Sequence, residues 1–331
     1  MKKIKLLFAS HDYKFMKEII EFFKDNLIFD IKFDTWDSFK KHNEKKSRDY
    51  LNWADVIVAE WCLGNAVWYS KNKLPHQKLF VRLHRFETST EYLKKLEIKN
   101  INKLIFVGPH YQRVVEEIIN IPTEKKRVIY NTVDVNKFKK SKSNHSFFNI
   151  GMLGYHTKRK RPDKALDIFE QLRKVDNRYT LYFKGQHPSK VKWVWNKDHQ
   201  RNYYEVLFDR IKTSPYKDSI IFDQWDTAVH KWFKKIGVIL STSDDESFHL
   251  AVAEGMASGS IPMITGWDGA DKIYPKEFIK KDVQEIVKTI QYLQKNPYVY
   301  KAKQKKVIEY CKNHFDINKT GEQWLEIILK S

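Results

Sequence analysis

Two carboxylates, Glu246 and Glu254, stand eight positions apart in a stretch whose pattern predicts a ligand site. The apolar run 237–240 before them is short and typical of a buried strand. Glu246 then lies in a polar loop, and Glu254 lies in the helical pattern that follows. Gly259 is placed where a helix end favours a left-handed residue, and a second apolar run, 261–265, predicts the next strand. The stretch is therefore a strand-loop-helix-strand unit.

This unit would place both carboxylates around an anion site. In open parallel sheets, ligands bind at the carboxyl ends of the strands. The helix start offers free backbone N–H groups and a partial positive charge, which suit a phosphate. Glu246 would lie beside that phosphate, and Glu254, about one and a half turns into the helix, would point back towards it. A nucleotide sugar combines the diphosphate and the hydroxyls that such a site fits. The alternative is that both carboxylates are surface groups favoured by the helix dipole.

The whole string also resembles a known signature. Glu246-Ser247-Phe248, followed by 251–259 and 261–264, closely resembles the donor site of family 4 retaining glycosyltransferases. The resemblance implies a GT-B fold, in which two Rossmann-like α/β domains face each other across a cleft and a C-terminal helix crosses back to the first domain. It also implies transfer of a hexosyl group from a nucleotide sugar with retention of configuration. Glu246 would be catalytic, and the donor would contact Ser247, Phe248, His249, Leu250 and Glu254.

Length and composition are those of an ordinary two-domain protein. The 331 residues exceed what one compact core usually holds, so two domains of about 150 residues each are expected. No run approaches the roughly eighteen apolar residues of a membrane span, and the apolar start is too short for a signal peptide. With Cys62 and Cys311 as the two cysteines, disulfides and a zinc site are not expected, and a reducing cytoplasm is the default location.

The net charge of +20, from 61 Lys and Arg against 41 Asp and Glu, predicts attraction to an anion. Nucleic acid, an acidic membrane surface and a phosphorylated substrate all qualify. The excess is mostly scattered Lys, which is equally typical of a solvated surface. We expect no nucleic-acid partner. Peripheral binding to the inner face of an anionic membrane stays open.

Short apolar runs alternate with amphipathic helical patterns along the chain, which predicts βαβ units and parallel sheets. The predicted strands are Ile4–Ala9, Asp55–Ala59, Leu79–Leu83, Leu104–Val107, Val128–Tyr130, Phe148–Leu153, Leu181–Lys184, Ile220–Phe222, Val238–Leu240 and Ile261–Ile264. The predicted helices include Phe15–Lys24, Tyr111–Ile119, Asp163–Leu172 and Trp232–Lys235.

A charged stretch, residues 137–145, divides the chain near its middle. The segment before it, 128–138, resembles the strand and Asn-x-Val-Asp element that closes the N-terminal domain in the same family. We therefore expect an acceptor-binding domain over 1–140, a nucleotide-sugar-binding domain over 141–305, and over 306–331 a C-terminal helix that packs back on the first domain.

A basic cluster follows the first strand of the second domain. After Gly154 and before a helix that begins with proline stand Lys158, Arg159, Lys160 and Arg161. In the family, an Arg and a Lys hold the diphosphate; Lys160 matches the Lys, whereas Met152 stands where the Arg is usual. Arg159 or Arg161 would supply the missing guanidinium, and Gly154 and Lys158 complete the predicted donor site. A solvated basic loop is the alternative.

No Asp-x-Asp occurs in the sequence, which argues against a Mg²⁺-dependent transferase of the other main architecture. Cations and a helix dipole neutralise a leaving diphosphate without a metal. We expect neither a metal nor another cofactor. No obvious nucleophile is present, which favours the family's front-face mechanism, in which the leaving phosphate helps to deprotonate the acceptor.

Candidate acceptor groups follow strands of the first domain. The family often places a histidine near the donor's anomeric carbon, and His84 is predicted to fill that catalytic role; a hydrogen-bonded structural histidine is the alternative. Trp61 offers an apolar face and an N–H to a sugar ring, although a buried tryptophan fits equally well. The predicted acceptor residues are His11, Asp12, Glu60, Trp61 and Asn65.

The sequence thus predicts a metal-independent, retaining GT-B hexosyltransferase. It would use a nucleotide sugar, such as a UDP-sugar, and a glycan, lipid-linked or polymer acceptor in cell-envelope polysaccharide synthesis. The alternatives are a GT-B sugar phosphorylase and a basic nucleic-acid-binding α/β protein. Steep salt-dependent binding to arbitrary DNA, without affinity for a nucleotide sugar, would indicate the latter.

Overall fold

The computed structural model describes residues 3–330. The chain divides into two compact units: the first unit runs to Thr132 and resumes at His314, and the second unit is Val133–Asn313. The sequence placed these boundaries at 140/141 and 305/306, and the ends of its terminal segments, residues 1, 2 and 331, lie outside the described part. Within residues 3–330, no helix is both long and apolar enough to cross a membrane.

Twelve strands and fourteen α-helices are present in the described residues. The strands are β1 (Ile4–Ser10), β2 (Phe29–Thr35), β3 (Val56–Glu60), β4 (Lys78–Leu83), β5 (Lys103–Phe106), β6 (Lys126–Val128), β7 (Asn149–Leu153), β8 (Thr180–Lys184), β9 (Ile220–Asp223), β10 (Val238–Ser241), β11 (Ile261–Thr265) and β12 (Ile279–Lys280). The helices are α1 (Lys17–Lys24), α2 (Glu44–Trp53), α3 (Gly64–Asn72), α4 (Pro109–Glu116), α5 (Val135–Phe138), α6 (Pro162–Val175), α7 (Lys192–Trp195), α8 (Asp198–Thr213), α9 (Val229–Trp232), α10 (Leu250–Ala257), α11 (Ala270–Ile273), α12 (Val283–Lys295), α13 (Pro297–His314) and α14 (Ile317–Lys330).

The first unit is built on one parallel sheet in the order β2-β1-β3-β4-β5-β6. Leu6 on β1 pairs with Ile31 on β2 and with Val56 on β3. Helices α1 and α14 pack on one face, and α2, α3 and α4 on the other. Strand order reverses between β1 and β3, so the loops after these strands flank the switch point where open sheets bind ligands.

The second unit repeats this plan with the order β12-β11-β10-β7-β8-β9, and its switch point lies between β10 and β7. Helix α10 is apolar on almost every side, as a fully covered helix must be. A Cβ added at Gly255 would come within 2.6 Å of the Ile239 side chain, so the glycine lets α10 lie close against β10. Gly259 ends this helix region with a φ of 79°, which confirms the left-handed residue predicted there.

The prediction of two Rossmann-like parallel α/β domains is therefore confirmed. Every predicted strand is present, with ends that differ by one or two residues. Two strands, β2 and β12, were not predicted, and both lie at an edge of a sheet. Edge strands need not be continuously apolar, because one side meets solvent: β2 alternates in the pattern FDIKFDT. Neither β2 nor β12 therefore contains a continuous apolar run that predicts a strand.

The charged stretch 137–145 contains a half-buried lysine whose amine is enclosed by hydrogen-bond partners. Lys142 Nζ donates to the carbonyl oxygens of Phe233 and Ile236, at 2.8 and 2.7 Å, and contacts the hydroxyls of Ser258 and Ser260 at 2.9 and 2.8 Å. Burial lowers the pKa of this amine to about 7. Lys142 thus ties the segment after α5 to the chain that leaves α10, a role that composition alone did not indicate.

The contact between α14 and α1 generates a stability prediction. A Cβ at Gly321 on α14 would lie 2.6 Å from ring atoms of Phe22 on α1. Gly321→Ala should lower the free energy of unfolding by about 1–3 kcal/mol, because the added methyl group overpacks the contact. Without this contact, replacing Gly by Ala in a helix interior would raise the free energy of unfolding by about 0.5–1 kcal/mol. Urea unfolding measures the change. Adding Phe22→Ala should recover part of the loss, and Lys319→Ala, at an exposed position of α14, is the control. A stabilised Gly321→Ala protein would contradict this packing.

Candidate functional site

The loops after β7 and β10 are joined at the switch point of the second unit. The Thr242 hydroxyl donates to the carbonyl oxygens of Lys160 and Arg161, each at 3.0 Å. The Asp244 backbone N–H donates to the carbonyl oxygen of Arg159 at 2.9 Å. These bonds hold the predicted basic cluster beside the loop that carries Glu246, although about eighty positions of sequence separate them.

Glu246 is the centre of this joint. Its carboxylate is buried, with 7% of the residue exposed. One oxygen, Oε1, accepts hydrogen bonds from Lys160 Nζ at 2.5 Å and Ser243 Oγ at 2.8 Å, and Arg159 Nη1 lies 3.1 Å away. Burial alone would raise the pKa of Glu246, but Lys160, His249 and Arg159 outweigh it and hold that pKa well below its usual range. Glu246 is therefore ionised and tightly paired.

The structure distinguishes the two arginines of the cluster. Arg161 adopts the left-handed conformation, with φ of 54°. Its guanidinium donates to Asp163 at 2.7 Å and to Asp244 at 3.1 Å. Arg159 instead contacts the backbone carbonyl of Asp245 and the Glu246 carboxylate. Of the two candidates for the missing guanidinium, Arg159 is the one directed at the Glu246 site.

Gly154 and Lys158 lie in the loop after β7. Gly154 has a φ of 77°, and a Cβ there would meet no atom within 4 Å, so its backbone faces open space that a ligand can approach. The Lys158 side chain is exposed, with Nζ 5.7 Å from the centre of the Tyr203 ring. Its backbone N–H donates to the Gln200 side chain at 2.8 Å.

The predicted residues at the start of α10 differ in exposure. Phe248 and His249 are buried, whereas the partly exposed ones are Ser247, Leu250 and Glu254. The Tyr274 hydroxyl donates to the Phe248 carbonyl at 2.8 Å, which fixes the backbone just before the helix. Leu250 and Glu254 are thus the partly accessible residues of α10, whose other residues are buried.

His249 has an unusual conformation. It stands immediately before α10 with φ of 59°, in the left-handed region that favours glycine. Its Nδ1 lies 2.6 Å from Ser241 Oγ, and its buried Nε2 has no hydrogen-bond partner among the described residues. Burial, with Lys160 and Arg159 nearby, lowers the pKa of His249 to about 3, although Glu246 acts in the opposite direction.

In the first unit, aromatic groups gather at the loops after β1, β3 and β4. Trp61, with φ of 65°, donates its indole N–H to the Asp12 carbonyl at 3.0 Å. The centre of its ring lies 6.0 Å from that of His11 and 4.5 Å from that of His84. Burial is the main cause that lowers the pKa of His11. The structure therefore brings together four residues that the sequence placed at the acceptor site or in catalysis.

Glu60 forms a buried charged network with its neighbours. Its Oε1 accepts from His84 Nε2 at 2.9 Å and from Arg82 Nη1 at 3.2 Å. Burial alone would raise the pKa of Glu60, but Arg82 and His84 hold it below its usual range. Arg82 is also fully buried and contacts Asn131, a residue of the Asn-x-Val-Asp element. Glu60 thus positions the His84 ring.

Glu87 and Asn65 complete the framework around these groups. Glu87 Oε1 accepts the backbone N–H groups of Cys62 at 3.0 Å and His84 at 3.1 Å, and burial raises its pKa. Asn65 donates both amide hydrogens to backbone carbonyls, of Ala9 at 2.8 Å and Glu60 at 2.9 Å. Asn65 and Glu60 are therefore buried parts of the framework, and an acceptor would reach other groups first.

Several buried polar atoms of this framework have no hydrogen-bond partner within the described part of the chain. They are His11 Nδ1, Glu60 Oε2, Asn65 Oδ1, Arg82 Nε and Glu87 Oε2. Buried polar groups are almost always paired in native proteins, so such a concentration is typical of a binding site. Sequence reasoning did not select Arg82 and Glu87, although both stand beside His84 in the string RLHRFE.

The family of the chain follows from a sequence match over this site. Residues 133–314, more than half of the chain, match the family model described as glycosyl transferases group 1. The chain belongs to this glycosyltransferase family. Among curated proteins, none matches the chain by sequence.

Three solved structures illustrate the fold that this chain shares. HepE from Anabaena, in complex with UDP and glucose, superposes with a TM-score of 0.78 at 15% identity, over 99% of this chain and 100% of that one. The sucrose-phosphate synthase from Thermosynechococcus elongatus superposes with a TM-score of 0.73 at 13% identity, over 99% of each chain. S. aureus TarM, in a complex with UDP, gives 0.62 at 15% identity, over 83% of this chain and 55% of that one. The fold of this glycosyltransferase is thus GT-B.

The environment of His249 predicts a pH dependence of stability. A histidine whose pKa falls from 6.5 to about 3 on folding binds fewer protons in the folded state. The contribution of His249 to the free energy of unfolding is therefore present above pH 6.5 and is lost as the pH falls towards 3. At pH 5.5 the loss amounts to about 1.4 kcal/mol. Urea unfolding at pH 7.5 and 5.5 should show that His249→Asn loses less stability on acidification than the wild type, by this amount. Equal losses in both proteins would show that His249 titrates normally.

Proposed function

We propose that this glycosyltransferase transfers a hexosyl group from a nucleotide sugar, such as a UDP-sugar, with retention of configuration. The acceptor is a glycan, a lipid-linked sugar or a polymer of cell-envelope polysaccharide synthesis. The observation that carries the proposal is the Glu246 site, where a buried carboxylate, two cations and a helix start converge at the switch point of the second unit. The UDP complexes of HepE and TarM support a uridine nucleotide as donor.

The chemistry of the site suits a leaving diphosphate. Lys160 and Arg159 supply positive charge in a partly buried place, where charge-assisted hydrogen bonds are strong. The backbone N–H groups at the start of α10 add a partial positive charge directed at the same region. Gly154 leaves room for a ligand to approach the backbone. Lys160 and Arg159 therefore bind the diphosphate and stabilise the charge that develops as the sugar leaves.

The carboxylates have different roles in this proposal. Glu254, partly exposed on α10, holds the ribose hydroxyls, whereas Glu246 contacts the transferred sugar and keeps Lys160 in place. His84, held by Glu60, contacts the reacting sugar. Front-face chemistry, in which the leaving phosphate helps to deprotonate the acceptor hydroxyl, needs no protein nucleophile.

The acceptor binds in the first unit, where Trp61 offers its ring beside His11 and Asp12. Tryptophan suits a sugar because its face is apolar and its edge carries a donor. The net charge of +20 supports an anionic acceptor or peripheral contact with the inner face of an anionic membrane from the cytoplasm. Family membership favours glycosyl transfer over the sugar phosphorylase and the nucleic-acid-binding protein.

Separate substitution of the two carboxylates tests this assignment. Glu254→Gln should weaken both the nucleoside diphosphate and the nucleotide sugar, since a ribose contact is common to them. Glu246→Gln should keep nucleoside diphosphate affinity nearly intact, because the amide oxygen can still accept the hydrogen bonds of Lys160 and Ser243. It should lower kcat by about 100-fold, because a charge that acts in the transition state is lost. Calorimetry and turnover assays measure the two effects. Glu205→Gln, exposed on α8, is the matched control. Loss of nucleotide affinity in Glu246→Gln alone would reverse the two roles, and two unchanged proteins would exclude this donor site.

Chelation tests the metal independence that we propose. Turnover should survive EDTA, because Lys160, Arg159 and the helix dipole neutralise the diphosphate. The assay compares initial rates with EDTA, with Mg²⁺ and with Mn²⁺ on protein freed of metal by dialysis. Complete loss of turnover in EDTA, restored by either ion, would refute this part of the proposal.

A further inference from the structure

His249 combines two features that a purely structural residue would not need. Its backbone is in the left-handed region, where a side chain is strained and glycine is not. Its imidazole is buried, with 6% of the residue exposed, and Nε2 has no hydrogen-bond partner in the described chain. Strained backbone and unpaired buried polar atoms are both concentrated at functional sites.

The hydrogen bonds around Nδ1 determine which nitrogen carries the proton. The indole Nε1 of Trp267 is a donor only, and it donates to Ser241 Oγ at 3.2 Å. Among the described residues, the Ser241 hydroxyl has no acceptor for its own hydrogen other than His249 Nδ1, 2.6 Å away, and we therefore assign Nδ1 as the acceptor. A neutral imidazole that accepts at Nδ1 carries its hydrogen on Nε2. The unpaired Nε2 is therefore a buried N–H donor.

The charges around the ring keep it neutral. Burial is the largest cause that lowers the pKa of His249 to about 3, and Lys160 and Arg159 lower it further. Glu246 Oε1, 3.9 Å from Nδ1, acts in the opposite direction but is already paired with both cations. The Nε2–H group is thus a donor that does not titrate near neutral pH, on a residue that directly precedes α10 and is affected by the charges of Lys160 and Arg159.

We propose that His249 Nε2–H donates a hydrogen bond to a diphosphate oxygen of the nucleotide-sugar donor, which makes His249 a binding residue through its side chain. The inference rests on the proposed function. A phosphate oxygen is an acceptor that suits this environment, because the cations Lys160 and Arg159 and the backbone N–H groups at the start of α10 lie nearby. A neutral donor adds a contact to the phosphate without adding charge repulsion against Lys160 and Arg159.

Two amide substitutions separate this contact from a structural role. The amide nitrogen of Gln reaches the position of histidine Nε2, whereas that of Asn reaches the position of Nδ1. Asn tolerates the left-handed conformation better than Gln, so backbone strain favours His249→Asn. The donor hypothesis favours the opposite order: His249→Gln should bind the diphosphate better than His249→Asn. Stability and binding therefore rank the two variants in opposite directions.

UDP, GDP and ADP are first titrated into the full-length wild type by calorimetry. The diphosphate that binds most tightly, and the corresponding nucleoside, are then titrated into both variants. His249→Asn should weaken the diphosphate by about 10- to 100-fold, equivalent to about 1.4–2.8 kcal/mol, and His249→Gln by less than about threefold. Affinity for the nucleoside, measured by competition, should be the same in all three proteins. The thermal midpoint of His249→Asn should equal or exceed that of His249→Gln.

The outcomes are distinguishable. Wild-type affinity for the diphosphate in His249→Asn, or equal weakening in both variants, would overturn the hydrogen bond while leaving the proposed function intact. Weakening of the nucleoside by the same factor as the diphosphate would show that the contact is not to phosphate and would also overturn it. A wild type that binds none of the three diphosphates would refute the proposed function, and the inference with it.

Discussion

The pairing of the buried Glu246 carboxylate with Lys160 and Arg159 is the interaction on which the proposed donor site depends. An unpaired carboxylate at this depth would be costly, and so would two unpaired cations beside it, so each charge makes the others tolerable. The three groups come from loops that follow β7 and β10, and their attraction reinforces the backbone bonds between those loops. The same pairing keeps two cations at the carboxyl edge of the sheet, beside the start of α10. The site that we propose for an anionic ligand thus uses the same groups that hold the loops of the second unit together.

The first unit also contains a buried charged network, formed by Glu60, Arg82 and His84. Glu60 and Arg82 form a fully buried pair at the carboxyl edge of its sheet, and His84 is held against Glu60. Here, however, Glu60 Oε2 and Arg82 Nε have no hydrogen-bond partner among the described residues. Trp61, next to Glu60 in the chain, is in a strained left-handed conformation. Both units therefore place strain and buried charge at the switch point of a parallel sheet, where ligands bind in open α/β folds.

Periodicity and composition predicted the two parallel α/β domains, because buried strands are continuous apolar runs and Gly259 marks a helix end. The edge strands β2 and β12 were not predicted, because β2 alternates polar and apolar residues and β12 has only two residues. The predicted donor-side residues lie together in the second unit, but their pairing was not predicted: nothing in the spacing shows that Lys160 contacts Glu246, 86 positions away. The partner of a buried charge is decided by which strands are adjacent, and only the folded chain specifies that. The half-buried Lys142, in a charged stretch, illustrates the same limit.

Calorimetric titration of UDP into the wild type, Lys160→Ala and Lys158→Ala tests the central claim most directly. Lys160 contacts the buried Glu246, whereas Lys158 is an exposed cation two positions away in the same loop. The account predicts that the wild type binds UDP, that Lys160→Ala weakens binding by about tenfold or more, as loss of a charge-assisted contact should, and that Lys158→Ala changes it by much less. Equal affinities in all three proteins, or equal weakening by the two substitutions, would contradict a donor site built around the Lys160 and Glu246 pair.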